Sequence, residues 1–179
     1  MSRRPGKETL VLSLAPTSRG LGFAVMEGPQ RLIDWGVKST KAKENAQCIA
    51  RAKELIRHYQ PDVIVLEDCQ GSRRGARVQQ LIRSILRLSK EKKIPARCFS
   101  RRKIQQSFPT ADATTKREIA FAIVEQLPEL APQFPPRRQP WMTEDHRMTI
   151  FDAVSLTLAF FHSRNKRKGA ALQTKGTKS

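Results

Sequence analysis

The sequence is short of acidic residues and of long apolar runs. Its 179 residues include 16 Asp and Glu against 34 Lys and Arg, which gives a formal net charge of +18 at pH 7. No apolar run approaches the ~20 residues that a membrane span needs, and no signal-peptide pattern opens the chain. We therefore expect a soluble, cytoplasmic protein with no membrane partner.

Cysteine is also scarce. Cys48, Cys69 and Cys98 are an odd number of widely separated thiols without the spacing of a metal site. This pattern argues against a disulfide scaffold or a structural zinc site, and it predicts reduced, mostly buried thiols.

The excess of positive charge predicts a polyanionic partner, most often a nucleic acid. At 39% hydrophobic residues, the chain nevertheless has enough apolar content for a folded core. Twelve basic residues and a single acid, Glu91, lie within 73–103, which is typical of a phosphate-binding surface. We expect a short extension at 1–8, one domain at 9–162 and a disordered basic tail at 163–179.

Hydrophobic periodicity predicts three strands joined by short turns, followed by alternating helices and strands. This order indicates an α/β fold with a mixed sheet flanked by helices. Five prolines within 128–140 predict an irregular, exposed loop. The expected strands span 10–14, 23–26, 32–37, 63–66 and 94–99, and the expected helices span 43–60, 75–92, 115–127 and 148–162.

Several carboxylates stand out. Glu67 and Asp68 end the apolar strand at 63–66, and sites in such sheets assemble at the carboxyl ends of strands. Asp152 is the only charged residue in the apolar segment MTIFDAVSLTLAFF. Because a buried, unpaired carboxylate is costly, Asp152 indicates either a divalent metal ion or an ion pair with an arginine. Asp145 and His146 lie about two helical turns before Asp152. We expect them to be either further metal ligands or residues of a solvated helix start.

The motifs occur in an order that resembles the RuvC-like branch of the ribonuclease H-like superfamily. The segment LAPTSRGLGFA at 14–24 is similar to that family's first strand and the turn after it. Glu67 matches the glutamate that closes the fourth strand, and 101–118 resembles the loop that precedes the helix containing Lys116. Asp152 begins a D-A-x-x-L helix motif.

The resemblance implies a five-stranded mixed sheet, made of an antiparallel three-strand meander and two parallel strands, often in a homodimer. It also implies a structure-selective endodeoxyribonuclease of the Holliday-junction resolvase type that acts on branched or four-way DNA. In this family, carboxylates hold two Mg²⁺ ions (in some cases Mn²⁺) for phosphodiester hydrolysis. Glu67 and Asp152 would be the metal ligands here, with Asp145 and His146 as possible additions, and Lys116 would contact a phosphate.

Three departures from the family pattern change this prediction. Ala15 occupies the position of the first catalytic aspartate and supplies no oxygen ligand. Thr149 stands where the family has Asp or His, and Gln105 stands where resolvases often have a lysine. We therefore expect this chain to be nearly inactive. Ala15 is either a natural loss or a replacement of aspartate, and the retained Glu67 and Asp152 favour the latter.

Basic side chains near the candidate site are expected to bind nucleic acid through phosphate contacts. Trp141 is expected to pack the proline-rich loop onto the body, with stacking on an exposed base as the alternative. The apolar surface around Leu81 and Leu88 is broader than one packed face needs, so part of it is a candidate dimer interface. The predicted nucleic-acid-binding residues are Arg73, Arg74, Arg77, Arg83, Arg87, Lys90, Arg101, Arg102, Lys103 and Lys116.

Two other functions remain open. The chain is alternatively a non-catalytic protein that binds branched nucleic acid, or a relative that cleaves structured RNA. The resolvase-like segment at 101–118 argues against the RNA relative.

Overall fold

The structure is a computed structural model that describes residues 8–39, 45–68, 75–108 and 115–173. The predictions for Arg73, Arg74 and Cys69 fall outside these residues. The strands are β1 (Leu10–Thr17), β2 (Gly20–Glu27), β3 (Leu32–Ser39), β4 (Val63–Glu67) and β5 (Ala96–Phe99). The helices are α1 (Asn45–Tyr59), α2 (Ala76–Glu91), α3 (Arg101–Gln105), α4 (Lys116–Gln126) and α5 (Met148–Gln173), with a 3-10 helix at Pro128–Gln133.

The five strands form one mixed sheet in the order β3-β2-β1-β4-β5. The first three strands pair antiparallel, and β1, β4 and β5 pair in parallel. This confirms the predicted sheet, including its division into a meander and two parallel strands. The register places Leu14 beside Leu66, so β1 and β4 end at the same edge.

Alternate residues of each central strand face opposite sides of the sheet, which therefore has two cores. Leu12 and Leu14 of β1 pack with α1 and α2. Val11 and Ala15 pack with α4 and α5 on the other side. Both faces of the central strands are covered, which explains why β1 and β4 read as almost continuous apolar runs.

Helix α5 approaches the sheet closely at Gly22 of β2. A Cβ built on Gly22 would lie 2.5 Å from Cγ2 of Thr149 and 2.6 Å from its carbonyl oxygen. Because one of these contacts is to backbone, the helix could not make room by rotating a side chain. Glycine at this position therefore sets the distance between α5 and the sheet.

A buried hydrogen-bond network joins α5 to the central strand. The Ser13 hydroxyl donates to the carbonyl of Ala153 at 2.7 Å, and the Thr157 hydroxyl donates to Ser13 Oγ at 2.8 Å. Ser13 and Thr157 are fully buried, so the network satisfies polar groups that would otherwise be unpaired in the core.

Helix α5 continues to Gln173, well beyond the predicted end at residue 162. The prediction of a disordered tail is therefore wrong for residues 163–173. The charge of this segment suggested disorder, but its Lys, Arg, Ala, Leu and Gln residues are all good helix formers. Residues 174–179 lie outside the part that the structure describes.

Two other segments are more regular than predicted. Helix α3 was not expected; Ser100 caps it by accepting a hydrogen bond from the Lys103 amide, and Ile104 buries its apolar side. The proline-rich loop begins with a 3-10 helix whose Leu130 is fully buried. Arg117 holds the following residues through hydrogen bonds to the carbonyls of Pro135 and Pro136.

Two surface predictions are not supported. Trp141 is 81% exposed, so the expectation that it packs the loop onto the body is wrong. Leu81 and Leu88 are at most 3% exposed because they pack inside this chain, which removes the observation that favoured a dimer interface on α2. Within the described residues, no helix is both long and apolar enough to span a bilayer.

We expect Gly22→Ala to lower the free energy of unfolding by about 1–3 kcal/mol, because the added methyl group must push α5 away from β2. Urea denaturation measures this change. Gly75→Ala is the matched control, since a Cβ at Gly75 meets no atom within 4 Å. Equal stability of the two variants would show that the contact with Thr149 does not restrict the sheet.

Candidate functional site

Ala15 and Glu67 lie side by side at the carboxyl ends of the two central parallel strands. The parallel pairing ends with Leu14 beside Leu66, and both strands continue for at least one more residue. Ala15 is 6% exposed and Glu67 is half-buried. By the alternation of side chains, both lie on the α5 face of the sheet.

Asp152 of α5 lies above the same edge. It directly precedes Ala153, whose carbonyl accepts the hydrogen bond from Ser13, and it follows by three residues the Thr149 that packs on Gly22. Gly22 is the pairing partner of Ala15. The fold therefore places Asp152 at the edge where Ala15 and Glu67 lie.

Cations surround the Asp152 carboxylate, which is only 11% exposed. The Lys116 ammonium donates to Oδ2 of Asp152 at 2.8 Å and also lies 3.2 Å from the Glu144 carboxylate. The Arg101 guanidinium lies 3.9 Å from Oδ1 of Asp152. Of the two interpretations of Asp152 from sequence, the observed contacts correspond to ion pairing, with lysine as the nearer partner.

A helix cap fixes the position of Lys116. Thr115 accepts a hydrogen bond from the Glu118 amide at 3.2 Å, and the Glu118 carboxylate accepts one from the Thr115 amide at 2.9 Å. This reciprocal pair is a capping box, and it sets the direction of the first turn of α4. Lys116 is the first residue of that turn, so its side chain is directed by the cap.

The charges around Lys116 determine its protonation. Burial alone would lower the pKa of the ammonium group, but Asp152 and then Glu144 outweigh burial, so the pKa of Lys116 is raised. The lysine is therefore a permanent cation at neutral pH. It cannot act as a general base there.

Asp145 and His146 are not brought into this cluster. Asp145 precedes the helix and pairs with Arg147, whose side-chain nitrogens lie 2.7 and 3.1 Å from its two carboxylate oxygens. The hydrogen bond from Arg147 lowers the pKa of Asp145 to about 2. The His146 side chain is 68% exposed. Glu144, the residue before Asp145, contacts Lys116 instead.

The donor set does not fit a metal centre as it stands. Among the described residues, no group of three or more His, Cys, Asp or Glu side chains could hold a metal ion. Ala15 has no oxygen to offer, and the nearest cation to Asp152 is the Lys116 ammonium. The metal-ligand roles of Glu67, Asp152, Asp145 and His146 therefore remain predictions.

The predicted nucleic-acid-binding residues divide into exposed and engaged side chains. Arg83, Arg87 and Lys90 are exposed along one side of α2, and Arg102 and Lys103 are exposed on α3. Arg77 is engaged instead, because it donates to the Ser18 carbonyl and to the Asn45 side chain, both at 3.1 Å. Arg101 is half-buried beside Asp152.

Sequence reasoning missed the residues that position the site. Ser13 interrupts an apolar strand and Gly22 lies within another, and a polar or glycine residue in a buried strand often marks a close contact. Those two irregularities were the available signal. Nothing in the sequence indicated which cation would pair with Asp152.

Lys116→Met is expected to lower the free energy of unfolding by about 1–3 kcal/mol, since it leaves Asp152 buried without its closest cation. The partial exposure of Lys116 keeps this below the effect of a fully buried pair. Chemical denaturation measures the change, with the exposed Lys53→Met as control. Adding Asp152→Asn should recover most of the loss; no recovery would contradict the ion-pair account.

Comparison with known proteins identifies the fold. No protein-family model and no curated protein matches the sequence. Among solved structures, the chain is similar to Thermus thermophilus RuvC in complex with a Holliday junction substrate, with a TM-score of 0.64 and 17% identity over 88% of this chain and 96% of that chain. A further Thermus thermophilus RuvC structure aligns with a TM-score of 0.63 and 19% identity over the same shares. The chain therefore has a RuvC-like fold of the ribonuclease H-like type.

Proposed function

We propose that this chain is a RuvC-type protein that binds branched DNA at the carboxyl edge of its sheet, and that Ala15 makes it nearly inactive as an endonuclease. The observation that carries this proposal is the placement of Glu67 and Asp152 at one edge, beside Ala15, on a RuvC-like fold. The similar solved protein is described in complex with a Holliday junction substrate. That description supports four-way DNA as the substrate class.

The charge distribution supports a phosphate-rich partner at this edge. Arg77 of the first turn of α2 contacts Ser18 in the turn after β1, so α2 begins close to the carboxyl edge of the sheet. The exposed Arg83, Arg87 and Lys90 lie farther along the helix, and the distance along its axis from Arg77 to Lys90 is ~20 Å. A duplex arm that leaves the site can follow this line through contacts to its phosphates.

The chemistry of the site supports impaired cleavage. Two-metal hydrolysis would require carboxylates that hold Mg²⁺ or Mn²⁺; Glu67 and Asp152 would be such ligands, and Ala15 supplies no oxygen atom. Lys116 remains charged beside Asp152 and is free to change partner to a phosphate oxygen when DNA enters. The chain thus retains groups that bind the substrate, without the complete donor set for hydrolysis.

The non-catalytic binding protein remains the second candidate, and the same observations favour it. If Ala15 is a natural loss, the ion pair between Lys116 and Asp152 replaces the role of a metal ion with a fixed positive charge. The structured-RNA relative has no observation in its favour. Restoring the first carboxylate separates a nuclease from a binding protein.

We expect Ala15→Asp to cleave a four-way DNA junction in the presence of Mg²⁺ roughly a thousandfold faster than this chain. The gain corresponds to several kcal/mol of transition-state stabilisation, the contribution expected of metal ions held by a complete carboxylate set. Single-turnover cleavage of labelled junctions measures the rate.

Ala15→Asn is the matched control for this experiment, because it has the same size as aspartate without its charge. The double variant Ala15→Asp/Glu67→Gln should lose the gained activity. If Ala15→Asp binds the junction and is folded but does not cut, the endonuclease proposal fails and the non-catalytic reading is supported.

Binding of the junction should weaken steeply as salt increases, because each neutralised phosphate releases counterions. The triple variant Arg83→Gln/Arg87→Gln/Lys90→Gln should make the slope of log K against log [salt] less negative by about 2 to 3. Fluorescence anisotropy at several salt concentrations measures both slopes.

Lys53→Gln/Arg57→Gln on the exposed side of α1 is the control, since neither residue belongs to the predicted nucleic-acid-binding set. Equal slopes for the triple variant and the control would show that α2 does not contact the DNA. Tighter binding to structured RNA than to four-way DNA would instead favour the RNA relative.

A further inference from the structure

A cavity of about 480 Å³ opens along the edge strand β5, between α3 and the C-terminal half of α5. Its wall includes Thr9 and Asp62 near the starts of β1 and β4, so it extends toward the end of the sheet opposite the candidate site. Of the described residues that line it, none is Ala15, Glu67, Lys116 or Asp152. The cavity is therefore a separate feature of the molecule.

The floor of the cavity is apolar. It is made by Val63, Phe99, Ala159 and Phe160, each at most 8% exposed. Two of these residues are aromatic, and the Arg164 guanidinium lies 5.9 Å from the centroid of the Phe160 ring. An apolar floor suits the face of a planar, aromatic group.

The rim of the cavity is strongly basic. The exposed side chains of Arg97, Lys103, Lys166 and Arg167 surround the opening. In the described part of the lining, Asp62 is the single carboxylate, and it already accepts a hydrogen bond from the Leu10 amide at 2.8 Å. The rim therefore attracts an anion, and the one carboxylate in the described lining already accepts a hydrogen bond within the protein.

The side chain of His162 lies in the wall of the cavity. Its Nε2 atom is buried and has no hydrogen-bond partner among the described residues. Because this atom is closed off from solvent, the His162 ring reports on occupancy of the cavity and does not contact the ligand through Nε2.

We propose that this cavity binds one nucleotide, with the base against the apolar floor and the phosphate at the basic rim. Its volume is in the range of small-ligand sites, which admits a single unpaired nucleotide and excludes a double helix. The nucleotide is either free or part of an unpaired strand. This site does not depend on the proposed function, because it shares no residue with the Ala15 and Asp152 cluster.

Titration of the full chain with thymidine 5′-monophosphate tests the proposal, with thymidine and inorganic phosphate as partial ligands. We expect the monophosphate to shift the NMR signals of the His162 ring and to bind at least about tenfold more tightly than either part, because the floor and the rim act together. Calorimetry gives the three affinities.

Variants assign the binding to the cavity. The exposed pair Lys103→Gln/Arg167→Gln should weaken binding of the monophosphate roughly threefold to tenfold without disturbing the core, and Lys53→Gln is its control. Thermal denaturation checks that each variant is folded.

A single-stranded oligothymidine of eight residues distinguishes the two sources of the nucleotide. Displacement of the monophosphate by this oligonucleotide supports an unpaired strand as the occupant, and tighter binding of the free monophosphate supports a free nucleotide. The proposal is overturned if the monophosphate does not bind, if inorganic phosphate binds equally well, or if the cavity variants bind it as the unmodified chain does. These results do not depend on whether the Ala15→Asp variant cleaves the junction.

Discussion

The packing of α5 across β1 and β2 is the contact on which the rest of the structure depends. Gly22 permits the approach, and the hydrogen bonds from Ser13 and Thr157 fix the helix along and around its axis. Asp152 is one residue from Ala153, so the same contacts determine where its carboxylate lies. A core contact and a functional position are therefore specified together, and neither can change alone.

The site that results has its charges balanced from within the chain. Two carboxylates, Asp152 and Glu144, share the Lys116 ammonium, and Arg101 adds a more distant positive charge. Such an arrangement stabilises the folded chain without any bound ion. It also presents a cation beside the sheet edge, where the proposed function requires a group that can interact with a phosphate.

The fold could be predicted well because its central strands are covered on both faces. Apolar runs and the turns between them identify β1 to β4, and the motif order then indicates the topology. The ends of the helices and strands were harder to predict from the sequence. Charge at 163–173 concealed a helix of good helix formers, and one cap at Ser100 with one buried Ile104 was enough to form α3.

The site was predictable only in part, for a physical reason. Sequence identifies residues whose burial would be costly, such as Asp152, but it does not say which of many cations will compensate for them. Lys116 follows the capping box at Thr115 in the first turn of α4, and Asp145 is paired with Arg147, whereas Glu144 contacts Lys116; none of these local contacts is visible as a pattern in the sequence. Trp141 shows the same limit, since no pattern in the sequence distinguishes an exposed tryptophan from a packed one.

Helix α5 is one unbroken element that carries Asp152 and, ten residues later, His162, ~15 Å farther along its axis. Between them the helix is buried against the sheet, so one segment borders both the sheet edge and the cavity. If both places bind ligands and α5 couples them, the effect of occupancy at one on the affinity at the other would be returned by the same factor, because such coupling is reciprocal.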